Sequence, residues 1–519
     1  MLGSRLRRVT SALGRRQSSL ARLTPAGGVH GSQSMTEPRQ WRNKALLRVH
    51  GEELFFKTGT QAVNLLVNES KRRDGNKGVY LDQFGCFMQS LAPVFDRSPR
   101  YAWIAKILLE PERFISFRVS YIDDSGNTRT NRGFRVQYSS TLGPYEGGLH
   151  QGSKRERNSQ LQRLHSRPFS TRLHFGAHVD ADLVKSMAFD GNFGNALTGA
   201  RLGGAAGGSN FEPRLASESE IQRFCQSFMT ELSKYVGPDR DLPSMGVNVG
   251  AAEVGYLYGQ YKRTTEHYAR HGRGILWGGA LPHPEVFGYS AVHFAKHLVE
   301  SRGESLAGKR CLITGSGKVA LAVAERLLAL GAVPLTFSDT SGHIYEPDGI
   351  AATKFEQIST IKAERGARVG RYIIASTTAK FNEPEDIYSI PCDIVFPTIR
   401  GEIDADVAAR LADNGCAAVV DAGYAPSTPS AIRAYKKLGM AYGPFKASLA
   451  AGTAIASTSS ERVIYKEAVI DAVDEEAKRI FEEAKRTANE YNVRGDLHQG
   501  TNIASFLRVA NVMAAHGAI

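Results

Sequence analysis

The residues best equipped for chemistry in this sequence sit in two glycine-rich stretches. One is GSGKVA, residues 315–320, with the G-x-G-x-x-A spacing of a phosphate cradle. Gly315 would make a tight turn, Gly317 would let a pyrophosphate approach the backbone, and Ala320 would let the next helix pack closely. Lys318 would add its charge to the partial positive charge of a helix N-terminus. The motif follows a strand-like run and opens a helix-like one. Ser338 and Asp339, closing the next apolar run, offer an acceptor for a ribose hydroxyl without deciding between NADP and NAD. The other stretch is RLGGAAGGSNFEP, residues 201–213. Its first eight residues hold four glycines and two alanines, and none after Arg201 ionises. Glycine at this density lets backbone approach a ligand, or take positive φ, around a charged or nucleophilic side chain. Here the frame lacks that side chain.

Two kinds of element must position these stretches. Residues 81–96 place Phe84, Phe87, Met88, Leu91 and Val94 at helical spacing, and residues 101–109 continue as a second apolar helix. Residues 113–140 alternate on either side of DDSGN, which predicts a long hairpin. Helical periodicity returns over 220–236 and 252–263. Between 309 and 449 the pattern becomes strand, glycine turn, helix, strand, and RYIIAST, CDIVFP and AAVVDAG read as further strands. Such alternation predicts an α/β fold with a doubly wound parallel sheet of Rossmann type. A charged helix over 467–489 and an apolar one over 501–517 close the chain. The expected divisions are a leader over 1–36, a substrate and oligomerisation domain over 37–283, a Rossmann-like domain over 284–460, and helices over 461–519 that return to the first domain.

The chain carries a net charge of +13, concentrated in two places. The leader holds Arg5, Arg7, Arg8, Arg15, Arg16 and Arg22 with interleaved leucines and serines, and no acid precedes Glu37. That is the composition of a mitochondrial transit peptide, which predicts delivery to the mitochondrial matrix; a basic tail for nucleic acid is the alternative. Cleavage would leave a net charge of +7. Residues 151–172 hold six cations against Glu156 alone. They read as an extruded loop, either a solvated insertion or an arm for RNA, acidic protein or anionic lipid. No run approaches the ~18 apolar residues of a membrane span. The five cysteines lack metal-ligand spacing, so buried thiols, not a disulfide framework or zinc site, are expected.

Several blocks in one order, among them NRGFRVQYSSTLGPYEGGL, RFCQSFMTELSKYVGPD, TGSGKVA, SDTSGHIYEPDGI and TNIASFLRVA, resemble the hexameric glutamate dehydrogenases, particularly their small NADP-type branch. The resemblance runs from about Phe84 to the C-terminus. It implies a two-domain fold with a cleft between the domains, a hexamer, and reversible deamination of glutamate with hydride transfer to a nicotinamide. It also implies where the reacting groups should be. The family's GPYKGG reads GPYEGG, which puts Glu146 at a substrate lysine. FEQxFKNALT reads FDGNFGNALT, so Gly191 and Gly194 replace a glutamine and a lysine. PMGGGKGGSDFDP corresponds to the second glycine stretch and sets Ala206 at the catalytic lysine. Gly246 falls at the catalytic aspartate, Ala456 at a substrate serine and Leu449 at an asparagine. On the cofactor side Phe287 replaces a threonine and Tyr424 an asparagine, and the segment after Pro397 is one residue short.

These losses fall on the reacting groups. A positioned acid or base contributes ~10²–10⁴ in rate, and each charged hydrogen bond to substrate ~1.5–3 kcal/mol. Lys185 and Lys446 are not replacements in this reading: Lys185 fits a solvated helix face, and Lys446 matches a lysine the family keeps outside its reacting groups. His283 and His293 read as hydrogen-bonded or surface residues, and Cys225 as core. Three functions stay open: a pseudoenzyme acting as a structural or interaction module in a large RNA-containing assembly or a mixed oligomer with an active paralogue, an active NAD(P)-dependent glutamate or amino-acid dehydrogenase, and an NAD(P)-binding regulatory subunit. No metal is implied.

Overall fold

A computed structural model of the protein describes residues 46–49, 52–75, 78–145, 172–237, 240–265, 285–364, 366–458 and 466–517. The leader over 1–36, Glu146, the basic segment up to 171, and His283 lie outside the described residues.

The first part begins with strands β1 (Leu46–Val49) and β2 (Glu52–Phe55), then helices α1 (Gly59–Arg73), α2 (Gly78–Ser90), α3 (Ala92–Arg97) and α4 (Arg100–Ile107). The predicted helix over 81–96 is thus divided at Leu91, because Pro93 has no N–H to continue the ladder and sits in the first turn of α3 instead. Strands β3 (Arg113–Ile122) and β4 (Thr128–Ser139) form the hairpin, in register from Arg113↔Gln137 to Ile122↔Thr128. Asp123 holds the turn by accepting from the backbone N–H groups of Ser125 and Asn127. There follow β5 (Arg172–Phe175), α5 (Ala181–Leu197), β6 (Gly204–Ser209), α6 (Glu218–Leu232), β7 (Ser244–Val247) and α7 (Ala251–Thr265). Among the described residues the sheet order is β3-β4-β6-β5-β7, with β6, β5 and β7 parallel. Leu173 and Phe175 pack one face onto α6 through Phe224 and Phe228. α5 lies against β4 and β6; its Phe189 meets the ring of Tyr138 on β4, while Phe193 packs on Phe87 of α2, ring centres 4.2 Å apart.

Helix α8 (Val286–Glu300) leads to the second part: β8 (Arg310–Ile313), α9 (Lys318–Ala329), β9 (Val333–Pro334), β10 (Thr336–Asp339), β11 (Gly342–Tyr345), α10 (Ala352–Ala363), β12 (Lys380–Asn382), β13 (Ile394–Phe396), α11 (Ala405–Asp413), β14 (Ala418–Val420), α12 (Pro429–Leu438) and β15 (Ala441–Gly443). The main sheet, β15-β14-β13-β8-β9, is parallel throughout. Its order reverses between β8 and β13, which opens a crevice at their carboxyl ends. RYIIAST is not one of its strands. Residues Val369–Ile374 form a 3-10 helix that delivers the Tyr372 hydroxyl to buried Glu346 and leaves Ile374 91% exposed. Glu346 also accepts from Ser376, Thr378 and Lys354, so a polar anchor outweighs the apolar run. The place beside β10 goes to β11 and β12, both antiparallel.

Short helices α13 (Phe445–Ser448) and α14 (Ala450–Thr458) touch α5, α15 (Lys466–Glu490) lies along α8, and α16 (Leu497–Ala515) packs on α2, α4 and α5. No described helix is long and apolar enough to cross a membrane.

The first sheet also encloses an ion pair. Arg135 and Asp241 are fully buried; the Arg135 Nε donates to Asp241 Oδ2 at 2.9 Å, and Gln137 Nε2 donates to the same oxygen at 2.8 Å. Removing one partner of a buried pair strands the other's charge. Arg135→Met is therefore expected to cost about 3–5 kcal/mol, measured as a lowered midpoint of urea unfolding.

Candidate functional site

The middle of the second glycine stretch, Gly204–Ser209, is the strand β6. Every residue of β6 is buried, and none of its glycines has positive φ. Their reason is close packing. A Cβ on Gly204 would fall 2.4 Å from Asn192 Cα of α5, and one on Gly208 would fall 2.4 Å from the His174 carbonyl oxygen of β5. Just before the strand, one on Gly203 would reach the Ser139 carbonyl oxygen at 2.6 Å. Ala206, paired with Val136, occupies the middle of this compressed strand and presents only a methyl group. Gly191 and Gly194 are buried on α5. Gly246 lies on β7, separated from β6 by β5, and its N–H donates to the Val249 carbonyl at 3.0 Å. Ala456 belongs to α14 and Leu449 to the turn after α13, both on the second domain's side.

Between the domains the chain supplies its own polar partners. Asp190 of α5 pairs with Lys446 Nζ of α13 at 2.8 Å. Its other oxygen accepts from the Tyr424 hydroxyl at 2.9 Å, and that hydroxyl also meets Ser186 Oγ at 3.1 Å. Tyr424 follows β14, so the contact joins the second domain to α5 of the first. Burial raises the Tyr424 phenol well above its ordinary range, and it stays a hydrogen-bond donor. Lys446 is buried and lies over the rings of Phe87 and Phe445 at 5.1 and 5.2 Å. Lys185 is not on a solvated face. It is 2% exposed, 2.6 Å from Asp74 Oδ2, 3.5 Å from Glu110, and over the Tyr80 ring at 4.3 Å. Because α5 is buried all round, its periodicity gave no outer face to read.

Sequence reasoning missed two groups here. His174 of β5 pairs in register with Gly208, its Nε2 is buried with no protein partner, and its ring meets His178 edge-on at 4.9 Å. Burial, with the charges of His178, Arg400 and Arg214, brings its pKa down to about 4, so the imidazole is neutral at pH 7. Asp190 was visible only as an acid amid apolar residues. His293 is buried and hydrogen-bonded: Nδ1 lies 2.7 Å from Asp474 and Nε2 accepts from Arg326 at 2.9 Å. Cys225 is buried on α6, and burial pushes its thiol up.

The phosphate turn is formed at the crevice. Gly315 has φ +78°, and a Cβ there would lie 2.2 Å from Thr398 Oγ1. Gly317 is the exposed N-cap of α9 with open space where a Cβ would be, Lys318 is exposed beside it, and Ala320 is buried. Ser338 Oγ is used internally, accepting from Gly315 N at 2.7 Å. Asp339 is similarly occupied: Ser341 N and Val369 N donate to its two oxygens, both at 2.8 Å. Burial pushes its carboxyl up, but these donors and Lys362 hold it below the usual range. The turn fits a pyrophosphate. The opposite end does not leave room as readily: Phe287 packs where Gly452 lacks a side chain (2.8 Å from the missing Cβ), and Tyr424 is committed to α5.

Comparison with known proteins places the whole arrangement. A family model of the Glutamate/Leucine/Phenylalanine/Valine dehydrogenases matches residues 278–517, and that of the Glu/Leu/Phe/Val dehydrogenase dimerisation domain matches 111–166 and 162–263. An NADP-specific glutamate dehydrogenase of Chlorella sorokiniana is 40% identical over 441 residues, 83% of this chain and 79% of that protein. One of Giardia intestinalis is 35% identical over 88% of this chain and 99% of its own length. The crystal structure of Plasmodium falciparum glutamate dehydrogenase superposes with a TM-score of 0.80 at 35% identity, covering 88% of this chain and 95% of that one.

Beside the crevice, Asp421 accepts from Ser427 Oγ at 2.8 Å and the Tyr442 hydroxyl at 2.7 Å, yet burial pushes its carboxyl up to about 7. A folded-state pKa above the unfolded value means the folded protein binds more protons in between, so this contribution to stability is lost as pH rises from about 4 to about 7. Wild type is expected to lose stability relative to Asp421→Asn across that window and to hold a constant difference above it, in denaturant melts at stepped pH. A difference that does not vary with pH would show an ordinary carboxyl.

Proposed function

Since the chain belongs to the glutamate dehydrogenase family, in its small NADP-type branch, we propose that it keeps the family fold without the family reaction and serves as a structural or interaction subunit. One observation carries this reading: at the position of the reacting lysine, Ala206 lies buried in a strand pressed between its neighbours. Deamination of a dicarboxylate needs cations for its carboxylates, a base near the amine and a proton shuttle. Gly191, Gly194, Gly246 and Ala456 offer none of these. Where the second domain meets α5, Asp190 and Lys446 neutralise each other, and Tyr424 takes the remaining carboxylate oxygen.

The setting follows from composition. The arginine-rich leader supports delivery to the mitochondrial matrix. The +5 segment over 151–172 supports a contact with RNA in a large assembly. The match to a dimerisation domain supports an oligomer, either a hexamer of this chain or a mixed one with an active paralogue. A second reading, retention of NADP or NAD without hydride transfer, is favoured by the Gly315 turn and the open N-terminus of α9. When bound, such a nucleotide would supply hydride; here the chain's own residues would hold only its phosphates.

The test is steady-state assay of purified full-length protein with NADPH or NADH, ammonium and a panel of 2-oxo acids, and with the matching amino acids in reverse. No change in nicotinamide absorbance above the protein-free rate is expected for any pair. Turnover with any of them would overturn the reading.

A further inference from the structure

A second cavity, of about 590 Å³, lies away from the cleft, where α8, α12 and α15 end beside α2. That volume suits a small organic ligand. Its floor is apolar, formed by the buried side chains of Leu298, Met440, Phe481 and Leu497. Its rim is cationic: Arg302, Arg433, Lys436, Lys485 and Arg494 line it against one carboxylate, Asp496. That carboxylate is already engaged, capping α16 through Gln499 N at 2.8 Å and pairing with Lys436 at 3.1 Å. Four cations remain. Among the described residues Arg302 donates a hydrogen bond only to the Ala417 carbonyl, at 3.4 Å, and Lys485 sits 5.8 Å from the centre of the Phe481 ring. Among the described residues, Arg433 and Arg494 have no acid within ion-pair distance. His498, also in the lining, is held neutral at pH 7, since burial lowers its pKa to about 4.

Three helix C-termini face the same space, and each carries a partial charge of about −0.5. Together they offset fewer than half of the four unpaired cations, so the cavity keeps a net positive field. A single carboxylate would need one or two of these cations. Four around an apolar floor match a head group with at least two negative charges on an apolar body.

We propose that this cavity binds an organic phosphate, with its apolar part on Phe481, Met440 and Leu298 and its phosphate among Arg433, Arg494, Arg302 and Lys485. Cys86, Gln89 and Ser90 of α2 line the first-domain side, and α12 the second-domain side, so the ligand would touch both domains.

The experiment is calorimetric titration of the full-length protein with 1-naphthyl phosphate, 1-naphthoate and inorganic phosphate. The naphthyl phosphate should bind with a Kd below about 1 mM, at least tenfold tighter than either of the others. The double variant Arg433→Glu, Arg494→Glu, both at exposed positions, should lose at least tenfold in affinity, whereas Lys437→Glu, outside the cavity, should not. The glycine turn is unaltered in both variants, so equal binding by wild type and the double variant would overturn the assignment. Naphthoate binding as tightly as the phosphate would overturn the choice of head group. Inorganic phosphate binding equally well would mean a general surface attraction and would overturn the site. Absence of heat at millimolar ligand would also end it.

Discussion

One carboxylate ties the halves of this protein together. Asp190 stands on a helix of the first domain and is held by Lys446 and Tyr424 of the second. A buried charge without a partner is costly, of the order of several kcal/mol, so Asp190 and Lys446 each require the other, and Tyr424 completes the hydrogen bonding of the carboxylate. Tyr424 can reach Asp190 only because β14 ends where it does and Gly423 packs against the Thr398 carbonyl, too closely for any Cβ. The contact joins the second domain to α5 of the first with the chain's own groups.

The same economy of space governs the floor of the cleft. β6 is squeezed between β4, β5 and α5, and its three glycines and two alanines let the layers close. Glycines at 204 and 208 answer to the backbone of Asn192 and His174, whereas the site at 206 has room for a methyl group. The sheet's geometry here rests on those glycines and not on the side chain at 206. The phosphate turn tells a parallel story. Gly315 is demanded by Thr398 and by a left-handed backbone, so the turn persists for reasons of folding whether or not a nucleotide is held.

Much of this was legible in the sequence, because the signals were local. The hairpin around DDSGN, the glycine turn before α9, and the helices α6 and α15 follow from alternation, turn residues and amphipathic spacing. The divided helix at Pro93 and the 3-10 segment at Val369–Ile374 were not read, the one because an apolar stripe runs on across a proline, the other because Glu346 anchors Tyr372 from a distant part of the chain. Residues buried on all sides were the hardest. Lys185 looks like surface because a lysine on a helix usually is, and its partners Asp74 and Glu110 lie 111 and 75 residues away, brought near only by tertiary packing. His174 and the Asp190 node escaped for the same reason. The glycine stretch reads in the sequence as a frame around a ligand, and that its glycines serve close packing emerges only once β5, β6 and α5 are placed.

The proposed structural role requires that this dehydrogenase fold transfer no hydride. A single-turnover measurement tests it most directly: protein in stoichiometric excess is mixed with NADPH deuterated at C4, 2-oxoglutarate and ammonium, and the products are read by mass spectrometry. Glutamate without deuterium above the protein-free control is expected. Deuterium at the α-carbon of glutamate would contradict it.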